Sequence, residues 1–138
     1  MIRSLMQFPI AAAVLAVSIL MHGQESTAIS GYAPVNGLKM YYEIHGQGQP
    51  LILIHGGLGS GDMFSAILPE LSKGHEVITV DLQAHGHTAD IDRPLSYEAM
   101  GDDIAGLLRY LKIARADVMG YSVGGEVALR TEMQHLMS

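Results

Sequence analysis

The chain has 138 residues, 49% of them hydrophobic and 16% charged, which supplies one ordinary domain core and argues against wholesale disorder. Its formal charge of −6 argues against a nucleic-acid partner, because phosphates demand a basic face. The lack of cysteine excludes disulfides, thiolate metal sites and a cysteine nucleophile.

At the N-terminus, Arg3 precedes an apolar or small-residue run of 14 residues from Phe8 to Met21. That run is shorter than the roughly 20 residues a bilayer span needs, and it has the length of a signal-peptide core. Ser26 and Ala28 place small residues at −3 and −1, so the reading is a signal peptide over 1–28, cleaved after Ala28, and an exported protein. Gly23 offers a second cleavage point, and an uncleaved membrane anchor is the alternative. Loss of 1–28 removes Arg3 and Glu25 together and leaves the charge at −6.

Residues 29–138 then form one domain without repeats or low-complexity linkers. Asn36-Gly37 sits between two strand-like runs and supplies the positive φ angles of a hairpin turn. Leu51–His55 is continuously apolar up to its histidine, as expected of a strand buried on both faces. After the glycine-rich turn GGLGSG, Met63, Phe64, Ile67, Leu68 and Leu71 keep helical spacing, with a break or restart expected at Pro69. His75–Asp81 reads as a second buried strand. From Ser96, a good N-cap, to Ile113 the residues Tyr97, Met100, Ile104, Leu107, Leu108 and Leu111 mark one helix face. ADVMGY reads as a third buried strand, and a helix starts at Val123. The alternation predicts an α/β fold: a hairpin, then three parallel strands joined by right-handed helical crossovers.

Three stretches carry chemistry. Gly120-Tyr121-Ser122-Val123-Gly124 has G-x-S-x-G spacing between a strand and a helix, which puts a serine hydroxyl on a sharp turn above the sheet. The bland alternative is a helix-capping serine. His55–Gly61, HGGLGSG, follows the first parallel strand; its Gly57 or Leu58 N–H, paired with that of Val123, could hold an oxyanion. A phosphate-binding loop would need Lys and Ser/Thr where Asp62-Met63 stand, and no dinucleotide G-x-G-x-x-G is matched, so no cofactor is expected. In the loop Asp81–Asp90, His85 and His87 with Asp90 and Asp92 are zinc-type ligands, but a third well-placed partner is missing and no metal is expected.

These three stretches, in this order, resemble the α/β-hydrolase family over about Tyr32 to Leu136. His55-Gly56-Gly57-x-Gly59-Ser60 is similar to its oxyanion turn, and Asp81 with His85-Gly86-x-Thr88 to its D-x-R-G-H-G-x-S loop. Gly120 to Gly125 is similar to its nucleophile elbow. Gln83-Ala84 stand where the family usually has Arg-Gly, which puts the usual polar contacts of that loop in question. The resemblance implies Ser122 as nucleophile, the Gly57 and Val123 amides as oxyanion hole, and hydrolysis of a small-molecule carboxylic ester through an acyl-enzyme. Serine where aspartate could stand argues against haloalkane dehalogenase and epoxide hydrolase chemistry. Lactone, amide, peptide and carbon–carbon bond cleavage stay open.

The resemblance also implies about eight strands, with an acid and then a histidine following the serine. The present sequence corresponds to the first five strands and the helix after the serine. His135 is the only histidine after Ser122, and it lies roughly 20 Å along the same predicted helix at 1.5 Å per residue. The resemblance assigns His55 and His85 to structure. The expectation is therefore a partial domain, whose alternatives to a working hydrolase are an inactive fragment or a non-enzymatic interaction module. Its serine strand would form an open edge suited to self-association.

Overall fold

The computed structural model describes residues 28–135; residues 1–27 of the leader read as a signal peptide and the position of Leu136 lie outside them. The first two strands, β1 (Ile29–Val35) and β2 (Leu38–His45), form an antiparallel hairpin. Its turn has φ of 48° at Asn36 and 88° at Gly37, both positive as a type I′ turn requires. Next come β3 (Gln49–Ile54), a 3₁₀ turn (Gly61–Phe64), α1 (Leu68–Leu71), β4 (His75–Val80), α2 (Tyr97–Tyr110), β5 (Asp117–Gly120) and α3 (Val123–His135). The sheet order is β1-β2-β4-β3-β5. β3 pairs parallel with both β4 and β5, and β4 pairs antiparallel with β2.

Alternation along the two central strands builds a core on each face. Ile52, Ile54, Ile78 and Val80 point to one side, where Met100, Ile104 and Leu107 of α2 and Val127 of α3 cover them. Leu51, Leu53 and Val77 point to the other side, against Phe64, Leu68 and Leu71. Strands covered on both faces read as continuous apolar runs, which is why β3 and β4 are legible in the sequence.

One expectation holds and one needs correction. The break expected in the Met63–Leu71 segment is present: a 3₁₀ turn ends at Phe64 and a single α-turn restarts at Leu68, with Pro69 in its first turn. Proline has no N–H to extend a preceding helix and is tolerated only where a new one begins. β5 is not fully buried: Asp117 and Met119 are exposed, because the strand lies at the sheet edge and pairs only with β3 among the described residues.

α2 starts at Ser96, whose Oγ accepts the Ala99 N–H at 3.1 Å. Its inner face also carries Asp103, fully buried. Asp103 Oδ2 lies 2.7 Å from Arg93 Nη2, and its Oδ1 accepts from Asn36 Nδ2 at 2.9 Å. This carboxylate ties the hairpin turn and the loop after β4 to α2. Asp103→Ala would leave the Arg93 guanidinium without its counter-charge. Because Arg93 is partly exposed, urea unfolding should show a loss of about 2–3 kcal/mol, below the range for fully buried pairs. A loss under about 0.5 kcal/mol, the size of an ordinary surface change, would contradict this role.

Candidate functional site

Ser122 follows the carboxyl end of β5, with φ at 54°. A non-glycine residue in this left-handed region costs about 1–3 kcal/mol, so the surrounding structure must impose it. The constraint is close backbone packing. A Cβ on Gly120 would lie 2.0 Å from the Gly124 carbonyl oxygen, and a Cβ on Gly124 would lie 2.1 Å from that of Ile54. Tyr121 N–H donates to Ile54 O at 3.0 Å, which locks the turn to β3. Ser122 O then accepts from Gly125 N–H at 2.9 Å, starting α3.

The Ser122 side chain is exposed, and its hydroxyl has no hydrogen-bond partner among the described residues. Ser96 makes the contrast: at the start of α2, with φ of −142°, its hydroxyl caps the helix. Ser122 does not cap α3, so the capping alternative fails.

The HGGLGSG turn brings Gly57 against the same place. A Cβ on Gly57 would lie 3.3 Å from Val123 Cγ2, and both residues line one cavity. The N–H groups of Gly57, Leu58 and Val123 have no acceptor among the described residues. Leu58 has φ of 62° and a fully exposed side chain.

Two buried side chains hold that turn. His55 Nε2 accepts the Leu82 N–H at 3.0 Å, so the proton sits on Nδ1 and is donated to Gly56 O at 2.7 Å. Both ring nitrogens are thereby engaged, and burial lowers the pKa from its ordinary value of 6.5, outweighing the bond to Gly56. Asp81 is the second clamp. Its Oδ1 accepts from Gly61 N–H at 2.8 Å, and its Oδ2 accepts from His87 N–H at 2.7 Å with His87 Nδ1 at 3.0 Å. Gly86 passes so close that a Cβ there would lie 2.2 Å from Asp81 Oδ2.

The loop after β4 makes its own polar contacts despite Gln83-Ala84. Gln83 is buried; its Oε1 accepts from Arg93 Nε at 2.9 Å, and its Nε2 donates to Asp90 Oδ1 at 2.8 Å. The burial of Gln83 and the role of Arg93 and Asp103 were missed in the sequence, where only the charge of Arg93 and its nearness to Asp90 offered a signal. The zinc-type residues do not converge. His85 Nδ1 donates to Gln83 O at 2.8 Å, His87 turns to Asp81, and Asp90 turns to Gln83. Among the described residues no three His, Cys, Asp or Glu side chains are grouped to hold a metal.

A family model described as the alpha/beta hydrolase fold matches residues 49–135. The chain belongs to the α/β-hydrolase family. An sn-1-specific diacylglycerol lipase of Danio rerio is 33% identical over 103 residues, covering 73% of this chain and 32% of that protein. The enol-lactonase of Burkholderia xenovorans is 34% identical with a TM-score of 0.70, over 76% of this chain and 42% of its own. The epoxide hydrolase CorEH is 28% identical with a TM-score of 0.74, over 76% and 37%. The chain thus spans about a third of the length of the curated relatives it matches. Among the described residues its five-stranded open sheet is a partial α/β-hydrolase fold, and these three relatives are hydrolases of this superfamily.

Two measurements check the local account. Gly124→Ala forces a Cβ into the Ile54 carbonyl and should lower stability by more than about 3 kcal/mol, beyond the usual effect of one mutation. Gly125→Ala, in α3, meets nothing nearer than the Gly120 carbonyl oxygen at 3.5 Å and should stabilise by about 0.5–1 kcal/mol through helix propensity. Equal effects at the two positions would contradict the packing argument.

The His55 shift also has a sign. The unfolded chain takes up a proton near pH 6.5 that folded His55 resists, so stability is full above that pH and falls as the pH drops below it. An NMR titration should find the His55 midpoint below 6.5. A midpoint at or above 6.5 would show that the ring is not held neutral.

Proposed function

We propose that this chain supplies the nucleophile and oxyanion hole of a serine hydrolase acting on small-molecule carboxylic esters. Ser122 Oγ attacks the ester carbonyl and gives its proton to a general base. The carbonyl oxygen becomes an oxyanion facing the Gly57 and Val123 amides, the alcohol leaves, and water releases the acyl group from Ser122. The observation that carries this reading is the unpartnered Ser122 hydroxyl, held at positive φ beside two amides that lack acceptors. Two of the relatives support the ester bond, since a diacylglycerol lipase and an enol-lactonase are both named for one. The serine itself weighs against the chemistry of the epoxide hydrolase relative. We propose also that the protein is exported, on the strength of the N-terminal apolar run.

The base comes from outside the described residues in this reading. Both His55 nitrogens are engaged, and Ser122 has no imidazole hydrogen-bonded to it among the described residues. That same observation favours a second reading, a folded chain with no hydrolytic activity.

Treatment with a fluorophosphonate probe in the presence of excess imidazole separates the two. The hydrolase reading expects displacement of fluoride by Ser122, an adduct mapped to its peptide by mass spectrometry, and none in Ser122→Ala. An unlabelled chain with an intact circular dichroism spectrum would establish the inactive reading instead.

A further inference from the structure

The cavity beside Gly57 and Val123 has a volume of about 450 Å³, within the range of small-molecule sites. It is roofed by the HGGLGSG turn and floored by the start of α2. Leu58, Leu95, Tyr97 and buried Met100 supply apolar surface. Among the described residues Glu98 is the only carboxylate lining it, His85 is the only histidine, and neither a lysine nor an arginine does so. Leu58 and Leu95 are more than half exposed and meet across this cavity, so their apolar surface faces one opening.

We infer that this cavity seats an uncharged aliphatic chain of the ester, about eight carbons long. The inference rests on the reading of Gly57 and Val123 as oxyanion donors, because those two residues join the cavity to the carbonyl. At about 30 Å³ for each water-sized group, 450 Å³ accepts on the order of ten to fifteen heavy atoms. An eight-carbon chain with its ester group falls in that range. A chain ending in carboxylate meets Glu98 with no lining lysine or arginine to offset it, and the lining imidazole of His85 has its Nδ1 engaged by Gln83 O. Arg130, 3.5 Å from Glu98, tempers that repulsion without lining the cavity.

Calorimetric binding of methyl esters to the Ser122→Ala chain tests the cavity apart from the chemistry. From methyl butanoate to methyl octanoate, affinity should rise by up to about four-fold per methylene, the equivalent of 0.8 kcal/mol. Leu95→Asp, a change at an exposed position, should weaken methyl octanoate at least five-fold. The monomethyl ester of suberic acid should bind more weakly than methyl octanoate, and Glu98→Gln should narrow that gap. Octyl acetate, run beside methyl octanoate in adduct competition on the unsubstituted chain, tells an acyl chain from an alcohol chain. Affinity independent of chain length, or unaffected by Leu95→Asp, would overturn the inference even if Ser122 reacts with the probe. Length-dependent binding by a chain that forms no adduct would uphold the cavity and overturn the nucleophile.

Discussion

The site depends on how closely three backbone segments approach one another. The carbonyl oxygen of Ile54 at the end of β3, the Gly120 Cα at the end of β5 and the Gly124 Cα at the start of α3 leave no room for a single Cβ between them. A strand can turn into a helix this sharply only by forcing one residue into a left-handed conformation, and that residue is Ser122. The strain is local, whereas the β3–β5 pairing and the burial of Val127 that hold it extend across the sheet. This division lets a strained serine persist in a stable frame.

The same geometry explains why the HGGLGSG turn and the serine meet. β3 and β5 are parallel neighbours, so the loops leaving their carboxyl ends emerge side by side. His55 and Asp81 then fix the first of those loops from beneath. One is a neutral imidazole with both nitrogens engaged, and the other is a buried carboxylate accepting three N–H groups. Each polar atom spent there is satisfied, which is what burial of such groups demands. Neither His55 nor Asp81 is left free to move a proton for Ser122.

Much of this was legible in the sequence because it is local. Asn36-Gly37 announces its hairpin by the φ angles it allows, Ser96 announces its helix by its cap, and the continuous apolar runs of β3 and β4 announce double burial. The G-x-S-x-G spacing placed Ser122 on its turn, and the departure at Gln83 marked a loop that needed new partners. What stayed hidden depends on contacts between distant residues. Asn36 and Asp103 are 67 positions apart, and no periodicity links them. β5 read as a buried strand from its composition, although the resemblance placed it at an open edge, and the exposure of Asp117 and Met119 follows from that edge. In the Met63–Leu71 stripe the break was legible as well as the spacing, because Pro69 has no N–H to carry a helix through. The cavity beneath Gly57 was invisible, since its lining comes from four separate stretches of chain.

Residues 28–135 therefore hold the Ser122 hydroxyl and the unpartnered Gly57 and Val123 amides at one end of the sheet. The most direct measurement is a crystal structure of the chain after reaction of Ser122 with an alkyl fluorophosphonate. The phosphoryl oxygen should lie about 2.7–3.1 Å from the amide nitrogens of both Gly57 and Val123, the distance expected of oxyanion donors. An adduct whose oxygen turns to solvent, with those two amides left empty, would contradict it.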